Sequence, residues 1–122
     1  MKTFYVSIIL FFSMVVIIVV NAIYINNVTN SLQALTLQLN DTRDLYCDIK
    51  LRNLSEYWEK NKEIIGLSTN AIDINKISDH ISQLKASTKS SETVDFEIAK
   101  QMLLNSIERI QHLEKITLNN II

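Results

Sequence analysis

No charged residue occurs between Lys2 and Asp41, and within that interval apolar side chains run almost unbroken from Phe4 to Ile25. As a helix rising about 1.5 Å per residue this run reaches roughly 33 Å, against a bilayer hydrocarbon core of about 30 Å. The segment is long enough to span a membrane. The remainder of the chain is polar and has the periodicity of amphipathic helices, so the expected fold class is all-α: one N-terminal transmembrane helix continuing into a small antiparallel helical bundle. The division is expected at residues 1–25 for the anchor and 26–122 for the bundle.

A secretory signal peptide competes with the anchor reading. Such peptides have a basic start, an apolar region of about 7 to 15 residues and a small residue at the cleavage site. Val20-Asn21-Ala22 offers that site. The apolar run is longer than a signal peptide needs, and Ala22-Ile23-Tyr24-Ile25 stays apolar beyond the cut, which favours an uncleaved anchor. Tyr5 and Tyr24 lie near its two ends, where amphipathic rings prefer the interface. Lys2 is the only basic side chain before Arg43, so the N-terminus is expected inside and the bundle outside. This leaves few residues in the cytosol, and any signalling or transport role then requires a second membrane protein.

About 97 residues come after the anchor, room for one small domain. The formal net charge is −1; without Lys2 the remainder carries 11 basic and 13 acidic residues, or −2, which offers no basic face for nucleic acid. Cys47 is the only cysteine, so no intramolecular disulfide forms, and its expected place is the apolar interior. The abundance of Ile, Asn and Lys suits an AT-rich bacterial gene.

The first helix is expected from about Thr3 to Leu39. Beyond the anchor it carries Ile25, Val28, Leu32, Leu35 and Leu39 on one face, with Thr29 and Thr36 among the opposite, polar positions. Asn40-Asp41-Thr42 interrupts it, and Asp41 and Asp44 place acids at the start of the next helix. That second helix shows Cys47, Leu51, Leu54, Trp58 and Ile65 as a stripe, widened by Leu45, Ile49, Tyr57 and Ile64; Gly66 falls where it should stop. Asp48, Arg52, Glu56 and Lys60 alternate in sign at i, i+4 and read as a solvated face.

Asn70 and Asp73 are spaced as an N-cap and its third-position acid, opening a third helix with Ile74, Ile77, Ile81 and Leu84 on its inner side. Ser87-Thr88-Lys89-Ser90-Ser91 reads as a loop, with Ser90 or Ser91 and Glu92 starting a last helix lined by Phe96, Ala99, Leu103, Ile107, Ile110 and Leu113. Short connections make the helices alternate in direction.

The layout of one N-terminal membrane helix, a middle helix with Trp58-Glu59-Lys60, a third helix ending Ile81-Ser82-Gln83-Leu84-Lys85 and the terminal Glu114-Lys115-Ile116-Thr117-Leu118-Asn119-Asn120-Ile121-Ile122 resembles the bacterial family called domain of unknown function 4363. The likeness covers nearly the whole chain and rests on packing patterns. Family members carry a histidine with acids just before the third helix; here Thr69-Asn70-Ala71-Ile72-Asp73 keeps one acid and no histidine. The resemblance implies membrane attachment and a helical domain, and no activity.

His80 and His112 are the only histidines, with Asp79 beside the first and Glu108 one turn before the second. Glu108 and His112 share the i, i+4 spacing of zinc helices, but a lone pair of this kind is ordinarily a surface ion pair. The sequence holds no HExxH, paired-cysteine motif, phosphate-binding Gly-rich loop or GxSxG. No catalytic, cofactor-binding or metal site is therefore expected. The expected role is a membrane-tethered helical interaction module on the outer face of a bacterial cytoplasmic membrane, with the membrane and another membrane protein as its partners and no nucleic acid. The alternative is a secreted helical ligand-binding protein released by cleavage after Ala22.

The candidate interaction residues are Trp58, Ile121 and Ile122. Trp58 lies mid-stripe and belongs at the centre of the core if buried, or on a binding surface if exposed. For the uncharged tail, Ile116 and Leu118 are expected to cover Val28, Leu32 and Leu35, with docking of Ile121 and Ile122 onto a partner or the bilayer as the other reading.

Overall fold

The computed structural model describes residues 1–39, 46–90 and 93–121, with the backbone alone described at 90, 93, 117, 118 and 121. The chain is all-α. Helix α1 spans Lys2–Leu37, α2 Cys47–Gly66, α3 Ala71–Ser90 and α4 Thr93–Ile121. Each helix packs against two neighbours, α1 and α3 both lying between α2 and α4, and among the described residues no backbones approach across the diagonals. Asn21 meets Ser68 and Tyr24 meets Asn61 across α1 and α2; Ser55 meets Lys85 and Trp58 meets Ser78 across α2 and α3. Asp73 meets Arg109 at one end of the α3/α4 interface, and Ser87 lines a groove with Ile98 at the other. These pairs run in opposite senses, so α1, α2, α3 and α4 alternate up and down.

The core takes one stripe from each helix: Ile25, Val28 and Leu32; Leu51, Leu54, Trp58 and Ile65; Ile77, Ile81 and Leu84; and Phe96, Ala99, Leu103, Ile107 and Ile110. These are the three-and-four spacings of the sequence, and burying them is what holds helices of this length in place. Cys47 and Leu39 close the same cluster, and Leu35, Tyr57 and Ile74 pack against it from its edges.

Helix α1 is uninterrupted from the apolar run into the bundle. Ala22 is its first buried residue and Ile25 is fully buried, so burial in the core starts at Ala22. Before Ala22 the helix is uncovered, and it is the one described helix long and apolar enough to cross a membrane.

The structure departs from expectation in several places. Thr29 and Thr36 are buried rather than on a polar face, because each hydroxyl donates to the carbonyl one turn earlier, Ile25 O at 2.9 Å and Leu32 O at 2.7 Å. The segment Ser87 to Ser90 is helical, not a loop: Ser87 is buried, and Thr88 Oγ1 donates to Leu84 O at 2.9 Å, so this hydroxyl is satisfied within the helix. Ile49 and Ile64 do not widen the α2 stripe; both are exposed. Leu113 and Ile116 leave the core at 40% and 43% exposure, while Val28 and Leu32 are already buried in the cluster that holds Ile107 and Ile110. Ile116 is thus only partly covered, and Leu118 lies at a position where only the backbone is described. The Asn40-Asp41-Thr42 break, Asp44, Leu45, Ser91, Glu92 and Ile122 lie outside the described residues.

Candidate functional site

Trp58 is 1% exposed, and its indole Nε1 donates to Ser78 Oγ at 2.8 Å. The ring is thus the largest side chain of the core, with its one polar atom satisfied across the α2/α3 interface. Packing occupies it, and it presents no surface to a partner. Ile121 ends α4 with only its backbone described, and Ile122 falls outside the described residues.

A row of exposed apolar side chains stands elsewhere, on the first half of α4. Val94, Ile98 and Met102 stand at i, i+4 and i+8 and are all exposed, so they form a row along one side of the helix. Ile98 and Met102 line a shallow groove between α3 and α4 of about 330 Å³, together with Gln83, Ala86, Ser87, Asp95 and Ala99. Sequence spacing alone does not single out this row, because the inner stripe of α4, Phe96 to Ile110, is stronger and claims the same helix.

Two further grooves are polar. Asp48, Arg52, Ser55, Glu56, Lys85 and Lys89 border one of about 460 Å³ between α2 and α3, where Lys85 Nζ donates to Ser55 Oγ at 2.8 Å. Glu108 and His112 border another between α1 and α4, together with Arg109 and Lys115, and Gln111 Nε2 donates to Asn30 Oδ1 at 2.9 Å beside them. His80 Nδ1 lies 3.3 Å from Gln83 Oε1 on the same helix. Among the described residues no three His, Cys, Asp or Glu side chains come together as a metal site would require.

The end of the bundle from which the apolar part of α1 emerges is built from short polar links. Asn21 Nδ2 donates to Ser68 Oγ at 2.9 Å, and Tyr24 donates its hydroxyl proton to Asn61 Oδ1 at 2.6 Å while Asn61 Nδ2 donates to Tyr57 O. Tyr24 is thus part of the α1/α2 joint. Asn70 caps α3 as its spacing predicts, its Oδ1 accepting from Ile72 N at 2.9 Å. Behind this cap Asp73 is buried and takes the Nε–H of Arg109 at 3.1 Å. Thr69 Oγ1 is buried with no partner, and Glu114 borders the same small cavity, where burial raises its carboxyl above the ordinary value.

No family model, no curated protein and no solved structure matches this chain.

Proposed function

We propose that the chain is a membrane-tethered helical interaction module, held by α1 with its bundle on the outer face of a bacterial cytoplasmic membrane. The observation that carries this reading is the continuity of α1: its uncovered apolar part and its core-forming part are one helix, Lys2–Leu37, with no hinge between them. Such a helix couples the bundle rigidly to a span. The resemblance to the domain of unknown function 4363 family agrees with this plan. The row of Val94, Ile98 and Met102 is the surface this reading assigns to the partner, a helix of a second membrane protein. The role is binding, without catalysis.

Release by cleavage after Ala22 is the competing reading. It would remove Asn21 and its bond to Ser68, and would leave Tyr24 and Ile25, both part of the bundle, in the first turn of a new helix end, where helices fray. Mass spectrometry of the mature N-terminus in fractionated cells separates the two. A chain in the membrane fraction that retains Lys2 supports the tether, and a chain in the medium beginning at Ile23 removes it. In cells that retain the tether, photocrosslinking from position 98 tests the partner surface; absence of any membrane-protein adduct at native expression would remove that assignment.

A further inference from the structure

Charge is distributed along the bundle axis in a way that the helices' solvent faces do not require. Three parts of the chain meet at one end: the apolar part of α1, the connection between α2 and α3, and the end of α4. No charged residue occurs from Ile64 to Ile72, and none occurs after Lys115. The opposite end holds Asp48, Lys50 and Arg52 at the start of α2 and Lys85 and Lys89 at the end of α3, with Asp95 and Glu97 opening α4.

The α2–α3 turn itself is uncharged, with Lys62 and Glu63 bordering it on α2 and Glu114 on α4, and it carries the most exposed apolar side chain among the described residues of the bundle. Leu67 is 87% exposed and comes directly after Gly66, the end of α2; Ile72, in the first turn of α3, is 61% exposed. Their height relative to the apolar helix is set by the Asn21 to Ser68 hydrogen bond, which places the turn beside residue 21 of α1. Helix α4 reaches the same level: Gln111 is bonded to Asn30, and nine residues onward in α4 match nine residues back in antiparallel α1, pairing the level of Asn120 with that of Asn21.

The length of uncovered helix then decides what lies against this end. Between Lys2 and Ala22, the first buried residue, stand the nineteen residues from Thr3 to Asn21. At about 1.5 Å per residue they cover about 29 Å, the thickness of a hydrocarbon core of about 30 Å. If these residues fill the bilayer, none is left to lift the bundle away from it. The turn holding Leu67 and Ile72 sits at the hydrocarbon boundary, where an uncharged apolar surface is favoured and a charged one is not.

We propose that this end of the bundle is a lipid-docking surface, with Leu67 and Ile72 seated among the lipid headgroups and outermost acyl carbons beside the exit of α1. Resting on the tethered reading above, it adds a second attachment that fixes the bundle's orientation on the membrane. The distal row on α4 is thereby held away from the bilayer.

The test uses the full chain reconstituted in phosphatidylcholine vesicles, with and without lipids brominated near the headgroup end of the acyl chains. Trp58 is the only native tryptophan and is buried, so it supplies a constant background. Tryptophan is introduced singly as Leu67→Trp, Ile72→Trp, Val16→Trp within the span and Lys89→Trp at the far end, all at exposed positions. Circular dichroism confirms an unchanged helix content. Docking is expected to quench most of the added emission at positions 67 and 72 and to leave that at 89 unquenched, with 16 reporting the span. Quenching at 16 combined with none at 67 or 72 overturns the docking and leaves the tether standing. No quenching at any of the four positions overturns the tether itself, and the docking with it. Equal quenching at 67, 72 and 89 means that the bundle lies on its side, which also overturns the docking.

Discussion

Arg109 donates from Nε to Asp73 Oδ1 at 3.1 Å, and the two side chains differ sharply in burial: 60% exposed for the arginine and 5% for the aspartate. The pair joins α3 to α4 across 36 positions of sequence. Its energetics are asymmetric. Removing the arginine strands a buried carboxylate, whereas removing the aspartate's charge leaves a guanidinium that water can solvate. Arg109→Ala is expected to cost about 1 to 3 kcal/mol, the range for a buried group left without its partner, and Asp73→Asn less. Denaturant titration of both variants checks the order; an equal or larger loss in Asp73→Asn would show that the carboxylate acts chiefly on the α3 N-terminus.

Gly66 offers a stabilising change. A Cβ added there meets no atom within 4 Å, and the residue is the last of α2, with Leu67 after it in right-handed helical conformation. The chain's sole glycine therefore ends the helix without the left-handed geometry that would demand glycine. Gly66→Ala is expected to gain about 0.4 to 1 kcal/mol, chiefly by restricting the unfolded chain. A lowered thermal midpoint would mean that the turn to α3 needs the freedom of glycine after all.

The inner stripes were legible because apolar spacing is a local property: Cys47, Leu51, Leu54, Trp58 and Ile65 are the buried residues of α2, as the sequence pattern indicates. Hydroxyl residues mislead such a pattern for a physical reason. Thr29, Thr36 and Ser87 count as polar in it, yet a threonine that bonds a carbonyl of its own helix has no further need of water and can be buried. The inner stripe of α4 ends at Ile110, near the level where its neighbour α3 begins, Asp73 of the first turn of α3 lying against Arg109. Partners distant in sequence were not legible at all. Nothing local in Asp73 or Arg109 announces the other, and the row of Val94, Ile98 and Met102 acquires meaning only once α3 fixes which side of α4 is covered.

Trp58 should dominate the stability of the bundle. Truncation of a buried tryptophan costs about 3 to 5 kcal/mol, a large part of the roughly 5 to 15 kcal/mol typical of a domain. Trp58→Ala is expected to unfold the bundle or lower its midpoint steeply. Trp58→Phe keeps most of the volume but leaves Ser78 Oγ without its donor, so a smaller loss of about 1 kcal/mol is expected. A Trp58→Phe loss as large as that of Trp58→Ala would place the energy in the hydrogen bond and not in packing.

Glu114 gives stability a pH dependence of definite sign. Burial raises its carboxyl above the value of 4.5 that it has in the unfolded chain. Between those two values the folded state holds the proton more often than the unfolded state does. Stability therefore falls as pH rises through the window, and the penalty is fully present above the raised folded value and absent below the unfolded one. Glu114→Gln removes the charge while keeping the shape. The variant is expected to be more stable than the parent at neutral pH, with the difference shrinking to zero as the pH drops below about 4.5. Paired denaturation curves across this range measure it. A gap that widens toward acid pH would mean that the ionised carboxylate is held by a favourable contact at the α4 end, and that desolvation does not set its proton affinity.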